Sequence, residues 1–456
     1  MPPPVRRIAP LSLLLLGTGG SAAVPDIACT TSLSTGCACC LDTLSGPGRA
    51  GRKSKNIRGN TGAVLRIPPE LGRESEGEKT VLVDCGKTFR EQALKFFPKK
   101  GLRKIDACIL THHHADAIDG LDDLRAWTYH TAIESTIPIF CSRTTYSFIA
   151  YGFPYLVNKA AASGGGALPS FEWHIMPEDE DWEVCGVTIT PVPAHHGHYF
   201  DKTPPRPLIC LGFLFDQSVL YMSDASYIPE TTWSLLSTGL SLPSPSGVFP
   251  SSAPSSTPTV FRPTSRSAPP SSPPLPRLQA LIIDCNTLSL SPSHFGLPQA
   301  IATARRLGAK RTYFTDFPHG VSHRAWLAFS EAFERGAVSK ETLAREKNEG
   351  RTTPPPLWCV RDEHSPGPSL AHALEGFDPH VEDVELFVER ALEAVEEWAG
   401  GVVLDEVDEM SGRGRTGRWT RPAVDGMTIE WVRDDGGRGG REFEEESGRV
   451  WDDEYE

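Results

Sequence analysis

Short apolar runs rich in leucine and β-branched residues recur along the chain, separated by polar or glycine-rich bursts. Leu11–Leu16, Asn60–Ile67, Thr80–Gly86, Ile105–Leu110, 137–141 and 184–192 read as strands, and so do Leu211–Phe215, Val219–Met222 and Ala280–Asn286. Helical spacing of apolar residues marks Phe89–Phe97, which Pro98 stops. It also marks Gly120–Trp127, a helix running to Leu307 with Gly308 as its C-cap, Trp326–Ala337 and Val381–Trp398.

The burst after Ile105–Leu110 is Thr111-His112-His113-His114-Ala115-Asp116-Ala117. His112, His114 and Asp116 stand at i, i+2 and i+4, so an extended loop would turn all three to one side. Two imidazoles and a carboxylate can then converge on a metal ion. Nitrogen and oxygen donors suit zinc, manganese or iron. The competing interpretation is a solvated loop that happens to be histidine-rich. Further candidate ligands follow in order: His195-His196, Asp224 after a strand, and Asp316 with His319.

The strand, the Thr-His-x-His-x-Asp loop and the following Gly120-Leu121-Asp122-Asp123-Leu124-Arg125 resemble the signature of the metallo-β-lactamase-fold hydrolases. The branch they look like is that of the cyclic-phosphate phosphodiesterases of phosphonate breakdown. The resemblance implies an α/β fold, an αββα sandwich, and a centre of one or two catalytic ions, zinc or manganese. Its metal ligands would be His112, His114, Asp116, His196, Asp224, Asp316 and His319. Matching Thr190-Pro191-Val192-Pro193 to the family pattern selects His196 over His195, with His198 as a neighbour. Asp224 takes the place of the aspartate that bridges two ions. Asp84 would support the loop without touching metal, and His323 is a weaker ligand candidate.

Two positions depart from the family. Ala117 stands where a histidine usually follows the aspartate, and Asp316 stands where the last strand usually ends in histidine. Both bear on the second metal, not the first, and an aspartate at 316 favours harder ions. The resemblance assigns His294 the role of proton donor to the leaving oxygen, with Asp116 beside it in the catalytic set. The chemistry suits an imidazole titrating near neutrality, with a helix N-terminus lowering its proton affinity. A histidine that merely caps the helix is the alternative.

Cys29 and Cys37-Ala38-Cys39-Cys40 form a cysteine cluster. Cys37 and Cys40 keep a C-x-x-C spacing that lets both thiolates reach one tetrahedral ion. The related phosphodiesterases carry a structural zinc here, held by close cysteines and a distant histidine three residues past the end of the last strand, the place that His319 takes in this chain. Either Cys29 or Cys39 could be a third ligand, and ordinary buried thiols are the alternative.

The N-terminus mimics a secretory signal, with Arg6-Arg7, Leu11–Leu16 and then Ala22-Ala23. The other interpretation, favoured here, is a first strand running into the glycine loop Gly17-Thr18-Gly19-Gly20-Ser21, which in this branch lies beside the metal. An intracellular, cytoplasmic protein is then expected. No apolar stretch approaches the roughly 18–20 residues of a membrane span.

Net charge is −13, but residues 401–456 hold 16 acidic and 8 basic residues, leaving −5 for the rest. Without a basic cluster a nucleic-acid partner is not expected, since phosphate contacts need Lys and Arg. Residues 241–277 contain 11 Pro and 11 Ser, too little apolar surface to offset the entropy of ordering. They are expected to be a disordered insertion in one hydrolase domain spanning 11–433, followed by an acidic disordered tail at 434–456.

The expected activity is metal-dependent hydrolysis of a small phosphodiester, cyclic ones included. A thioester or lactone hydrolase of the same fold, or a metal-binding protein with little catalysis, are the alternatives. Deleting residues 245–275 should leave the unfolding midpoint and the activity nearly unchanged, because loop-closure entropy depends weakly on length. A midpoint lowered by several degrees would show that the segment is packed.

Overall fold

The computed structural model describes residues 9–32, 36–44, 54–199, 205–240, 278–288, 291–340, 384–398 and 419–431. The 241–277 insertion and the 434–456 tail lie outside the described residues. In chain order the strands are β1 (Leu11–Gly17), β2 (Gly62–Ile67), β3 (Lys79–Val83), β4 (Ala107–Ile109), β5 (Ile137–Cys141), β6 (Phe171–Ile175) and β7 (Trp182–Val184). They continue as β8 (Val187–Tyr199), β9 (Arg206–Phe215), β10 (Val219–Met222), β11 (Ala280–Asp284), β12 (Arg311–Thr315), β13 (Thr420–Pro422) and β14 (Thr428–Trp431). One sheet has the order β14-β1-β2-β3-β4-β5-β6 and the other β13-β12-β11-β10-β9-β8-β7.

The leucine run at the N-terminus is a strand hydrogen-bonded on both sides, to β2 and to β14. Leu13 and Leu15 belong to the core between the sheets, whereas Leu14 and Leu16 face an outer core. A strand covered on both faces reads as an unbroken apolar run, which is why it imitates a signal sequence. Each such leucine contributes roughly 1.5–3 kcal/mol by leaving water.

Helices cover both outer faces. Phe89 and Phe96 of α1 (Phe89–Phe96) lie with Leu14 and Val64 in the core outside the first sheet. After α2 (Arg143–Gly152) and α3 (Glu230–Gly239), three more helices cover the second sheet: α4 (Leu297–Leu307), α5 (His323–Glu334) and α6 (Val384–Trp398). Between the sheets Leu65 and Val81 share a core with Phe213, Tyr221 and Ile282. The result is the αββα sandwich. No helix among the described residues is long and apolar enough to cross a membrane.

Some local expectations need correcting. Gly120–Trp127 is not one helix but a 3-10 turn, Leu121–Leu124, followed by the single turn Arg125–Thr128. The strand expected at 184–192 is split: Val184 ends β7, and β8 begins at Val187 and continues through the histidines to Tyr199, with its pairing to β9 shifted between His195 and His198. The helix expected from Trp326 begins at His323, where the Ser322 side chain accepts from the Ala325 amide.

This topology sets chemistry-bearing residues side by side. β10, β11 and β12 are parallel neighbours, with Met222 opposite Ile283 and Asp284 opposite Thr315. Asp224, Asp284 and Asp316 therefore leave or end adjacent strands at one edge. The Thr111 loop faces them from the other sheet, where the Leu211 amide donates to the Thr111 carbonyl at 3.0 Å. Gly86 lets the loop after β3 approach closely, since a Cβ there would lie 1.7 Å from the Asp116 carbonyl oxygen. Gly86→Ala should displace Asp116 and cost about 1–3 kcal/mol of stability, as overpacking does. Unchanged thermal unfolding in that variant would contradict the close approach.

Candidate metal centre

The histidines of the Thr111 loop converge with one from β8. Ring centroids of His112 and His114 lie 4.7 Å apart, those of His112 and His196 5.1 Å, and those of His114 and His196 4.9 Å. One donor atom from each of the three lies within 4.8 Å of the others. His196 gains its place from the irregularity in β8, where Gly197 has φ 76°.

Hydrogen bonds orient two of these rings. Asp84, at φ 60°, accepts from the Thr111 amide at 2.8 Å and from the Thr111 hydroxyl at 2.9 Å. The Thr111 hydroxyl oxygen lies 2.9 Å from His112 Nδ1. With the hydroxyl proton given to Asp84, that oxygen accepts from Nδ1–H and leaves His112 Nε2 as a free lone pair. His196 Nδ1 donates to the Ser293 carbonyl at 2.6 Å, which frees its Nε2 in the same way. Second partners of this kind fix the tautomer of ligating imidazoles. Burial pushes His112 well below the usual histidine pKa and lowers His114 to about 4, so both rings are neutral, as ligands must be.

Carboxylates complete the surroundings. Asp224 shares one group with His112 and Cys210 and another with His196 and His294. Burial works to raise the Asp224 pKa, but the imidazoles of His112, His196 and His294 outweigh it and lower the pKa. Both Asp224 oxygens, His112 Nε2 and Asp116 Oδ1 are buried without a hydrogen-bond partner. Orphaned lone pairs on buried nitrogen and oxygen are costly unless something satisfies them. A divalent cation at His112, His114, His196 and Asp224 fits that donor set.

Asp116 stands slightly apart, its Oδ1 4.0 Å from His112 Nε2. Burial, then the charges of Asp224 and Asp316, raise its pKa to about 7. Asp316 does not lie free beside the imidazoles. Its Oδ2 is 2.8 Å from His294 Nδ1, and Asp284 Oδ2 is 2.9 Å from the same nitrogen. Burial alone would lower the His294 pKa, but the two carboxylates raise it to about 12. The expectation of a helix terminus lowering its proton affinity is therefore wrong in sign. His294 precedes Gly296, the N-cap of α4, and the carboxylates dominate.

His319 is elsewhere. Its Nδ1 lies 3.4 Å from Cys29 Sγ and 3.5 Å from Cys37 Sγ, and these three with Cys40 form a separate donor group. It leaves the catalytic set and takes the place of a distant histidine at the cysteines. Cys29 is the third thiol there, while Cys39 Sγ turns to the Val321 carbonyl. His323 begins α5 with its amide donating to Asn56, and it joins none of the donor groups among the described residues. Two residues by the site were not foreseen, Asp284 at the end of β11 and Cys210 within β9, both buried. Arg125 pairs with Asp122 on the surface.

A family model described as a beta-lactamase superfamily domain matches residues 79–317, more than half of the chain. The chain belongs to the β-lactamase superfamily, whose members are in general hydrolases and whose fold typically binds divalent metal ions. An octanoyltransferase of Porphyromonas gingivalis is 28% identical over 184 residues, 40% of this chain. The chain spans 30% of the length of that curated relative. Among solved structures, a diphosphatase from the PhnP family is 26% identical, covering 69% of this chain and 88% of that one at a TM-score of 0.46. Zn(2+)-bound PqqB from Methylobacterium extorquens is 13% identical, covering 68% and 89% at a TM-score of 0.42.

A pH test isolates Asp116. Its folded pKa of about 7 stands above the ordinary 3.8, so the metal-free folded state keeps a proton that the unfolded chain gives up. The sign follows: stability from this group is complete below pH about 4 and lost as pH rises through about 7. In EDTA, Asp116→Asn should unfold at a higher temperature than the parent at pH 8, and the difference should vanish near pH 4. An equal difference at both pH values would rule this out.

Proposed function

We propose that this chain hydrolyses a small phosphodiester, cyclic ones included, at a zinc or manganese centre held by His112, His114, His196 and Asp224. The observation that supports a diester over other substrates is the placing of His294. Its ring lies 4.8 Å from the His196 ring, is partly open to solvent, and is clasped at Nδ1 by Asp284 and Asp316. An alkoxide leaving group needs a proton, and a cationic imidazole beside the ion site has one to give.

A divalent ion bound there supplies Lewis-acid polarisation of a phosphoryl oxygen and an acidified water. The protein's own residues do the rest. Thr111 and Ser293 keep the ligand nitrogens unprotonated and aimed. Asp284 and Asp316 hold the Nδ1–H of His294, so its other nitrogen is the one that can transfer a proton. Asp116, whose ionisation lies near neutrality, can take up or release a proton next to the centre. The modest negative charge of the body favours a small diester over a nucleic acid.

Cys29, Cys37, Cys40 and His319 are read as a structural zinc site. Burial raises the pKa of the Cys37 and Cys40 thiols, and a bound cation reverses this by stabilising the thiolates. Arg58, fully buried, donates to the Pro318 and Val321 carbonyls on either side of His319.

His294→Ala should keep the histidine-bound ion and lose on the order of 10²–10⁴ in rate on an alkyl diester. The loss should shrink for a nitrophenyl diester, whose leaving group departs unprotonated. Equal losses on both substrates would make His294 a positioning residue. No loss on either, together with turnover of a thioester or lactone, would replace the diester reading by acyl hydrolysis.

A further inference from the structure

We propose that the catalytic centre holds one ion, and that the His294 ring, clasped between Asp284 and Asp316, takes up the room of a second. The inference rests on the site reading above. A second ion beside the histidine-bound one would have to be gathered by Asp116, Asp224 and Asp316, the carboxylates around it. Among the described residues these three do not converge. Asp116 joins no group of three donor atoms within 4.8 Å of one another, and Asp316 joins only that of Asp284 and His294.

In that last group one oxygen of each carboxylate is already engaged by the His294 ring. His294 Nδ1 is 2.9 Å from Asp284 Oδ2 and 2.8 Å from Asp316 Oδ2. Asn286 Nδ2 donates to the same Asp316 oxygen at 2.9 Å and to the Asp316 carbonyl at 2.8 Å. Turning this carboxylate toward an ion would break both side-chain bonds. The chain offers no replacement donor after Asp116, because Ala117 is a buried methyl.

His294 also reaches toward the first ion. Donor atoms of His294, His196 and Asp224 lie within 4.8 Å of one another. The ring thus spans the gap between the imidazole cluster and the two inner carboxylates, where a dinuclear centre would place its other ion. Asp116, Asp284 and Asp316 each keep one oxygen without a hydrogen-bond partner. Those oxygens belong to separate segments and do not form a common donor group, so they are countercharge around the site and not a second coordination shell.

Manganese tests this without any turnover. The full chain, saturated with Mn(II), is studied by electron paramagnetic resonance and by anomalous scattering from crystals. The expected result is an uncoupled single-ion spectrum and one manganese peak among His112, His114, His196 and Asp224. An exchange-coupled pair, a second peak toward Asp116 and Asp316, or an empty centre would each overturn the proposal. His294→Ala supplies the second arm. Opening the ring's space should raise the manganese count at the centre from one to two, and a folded variant that still binds one ion refutes the displacement. If the variant fails to fold, the wild-type spectrum and peak count decide by themselves. A chain with one ion and no diester activity would sustain this inference while removing the proposed function.

Discussion

Buried negative charge is the constraint around which the molecule is arranged. Asp84, Asp116, Asp224, Asp284 and Asp316 are all at most 4% exposed. Removing one carboxylate from water costs several kcal/mol even after relaxation, so each must be answered by a donor or a cation. Their ion-pair partners among the described residues are imidazoles. Asp84 is satisfied by Thr111, and Asp284 and Asp316 share His294, with the Ala225 amide adding a bond to Asp284. What remains, one oxygen each of Asp116, Asp284 and Asp316 and both oxygens of Asp224, has no hydrogen-bond partner. The fold creates a place for a divalent ion by concentrating charge it cannot itself neutralise.

The architecture makes that concentration possible. Three parallel strands end together, and their side chains point into the seam where the opposite sheet delivers the histidine loop. Parallel ladders covered on both faces lack water to solvate these groups, so the hydrogen-bond network must be complete wherever the ion is not. The close approach at Gly86 and the positive φ of Asp84 and Asp316 are the backbone's part in this. Non-glycine residues in that region cost energy and persist where surroundings over-determine them.

Much of this was legible from the residues, and the misses have physical reasons. His112, His114 and Asp116 stood out because a run of histidines after a buried strand has few structural uses. His196 was reached by matching a Thr-Pro-x-Pro pattern, but its position inside a strand was not, since no periodicity reports a bulge. Cys210 and Asp284 are single residues of buried strands, where the sequence shows an apolar run and not which residue reaches the site. For His319 the catalytic centre and the cysteine site both stay open in the sequence, because spacing says how far a residue is from Asp316 and not which way the chain turns. At φ 64° Asp316 occupies the left-handed region, and the chain leads His319 to the cysteines. For His294 the helix terminus was visible in sequence, whereas the two carboxylates that outweigh it come from separate strands.

The crossing between β10 and β11 has a consequence for how the molecule could be taken apart. The two strands are registered to each other by their ladder, from Val219 opposite Ala280 to Met222 opposite Ile283, whatever joins them. The chain leaves α3 at Gly239 and is described again from residue 278. A cut within that interval would divide the centre into an imidazole half, with His112, His114, Asp116, His196 and Asp224, and an acid half, with Asp284, His294 and Asp316. The first fragment would keep every residue proposed to hold the ion but lack the clasped His294, and reunion would be driven by the same sheet edges that register β10 against β11. The clasp of His294 by Asp284 and Asp316 would return to the imidazole cluster only once β10 and β11 had paired again.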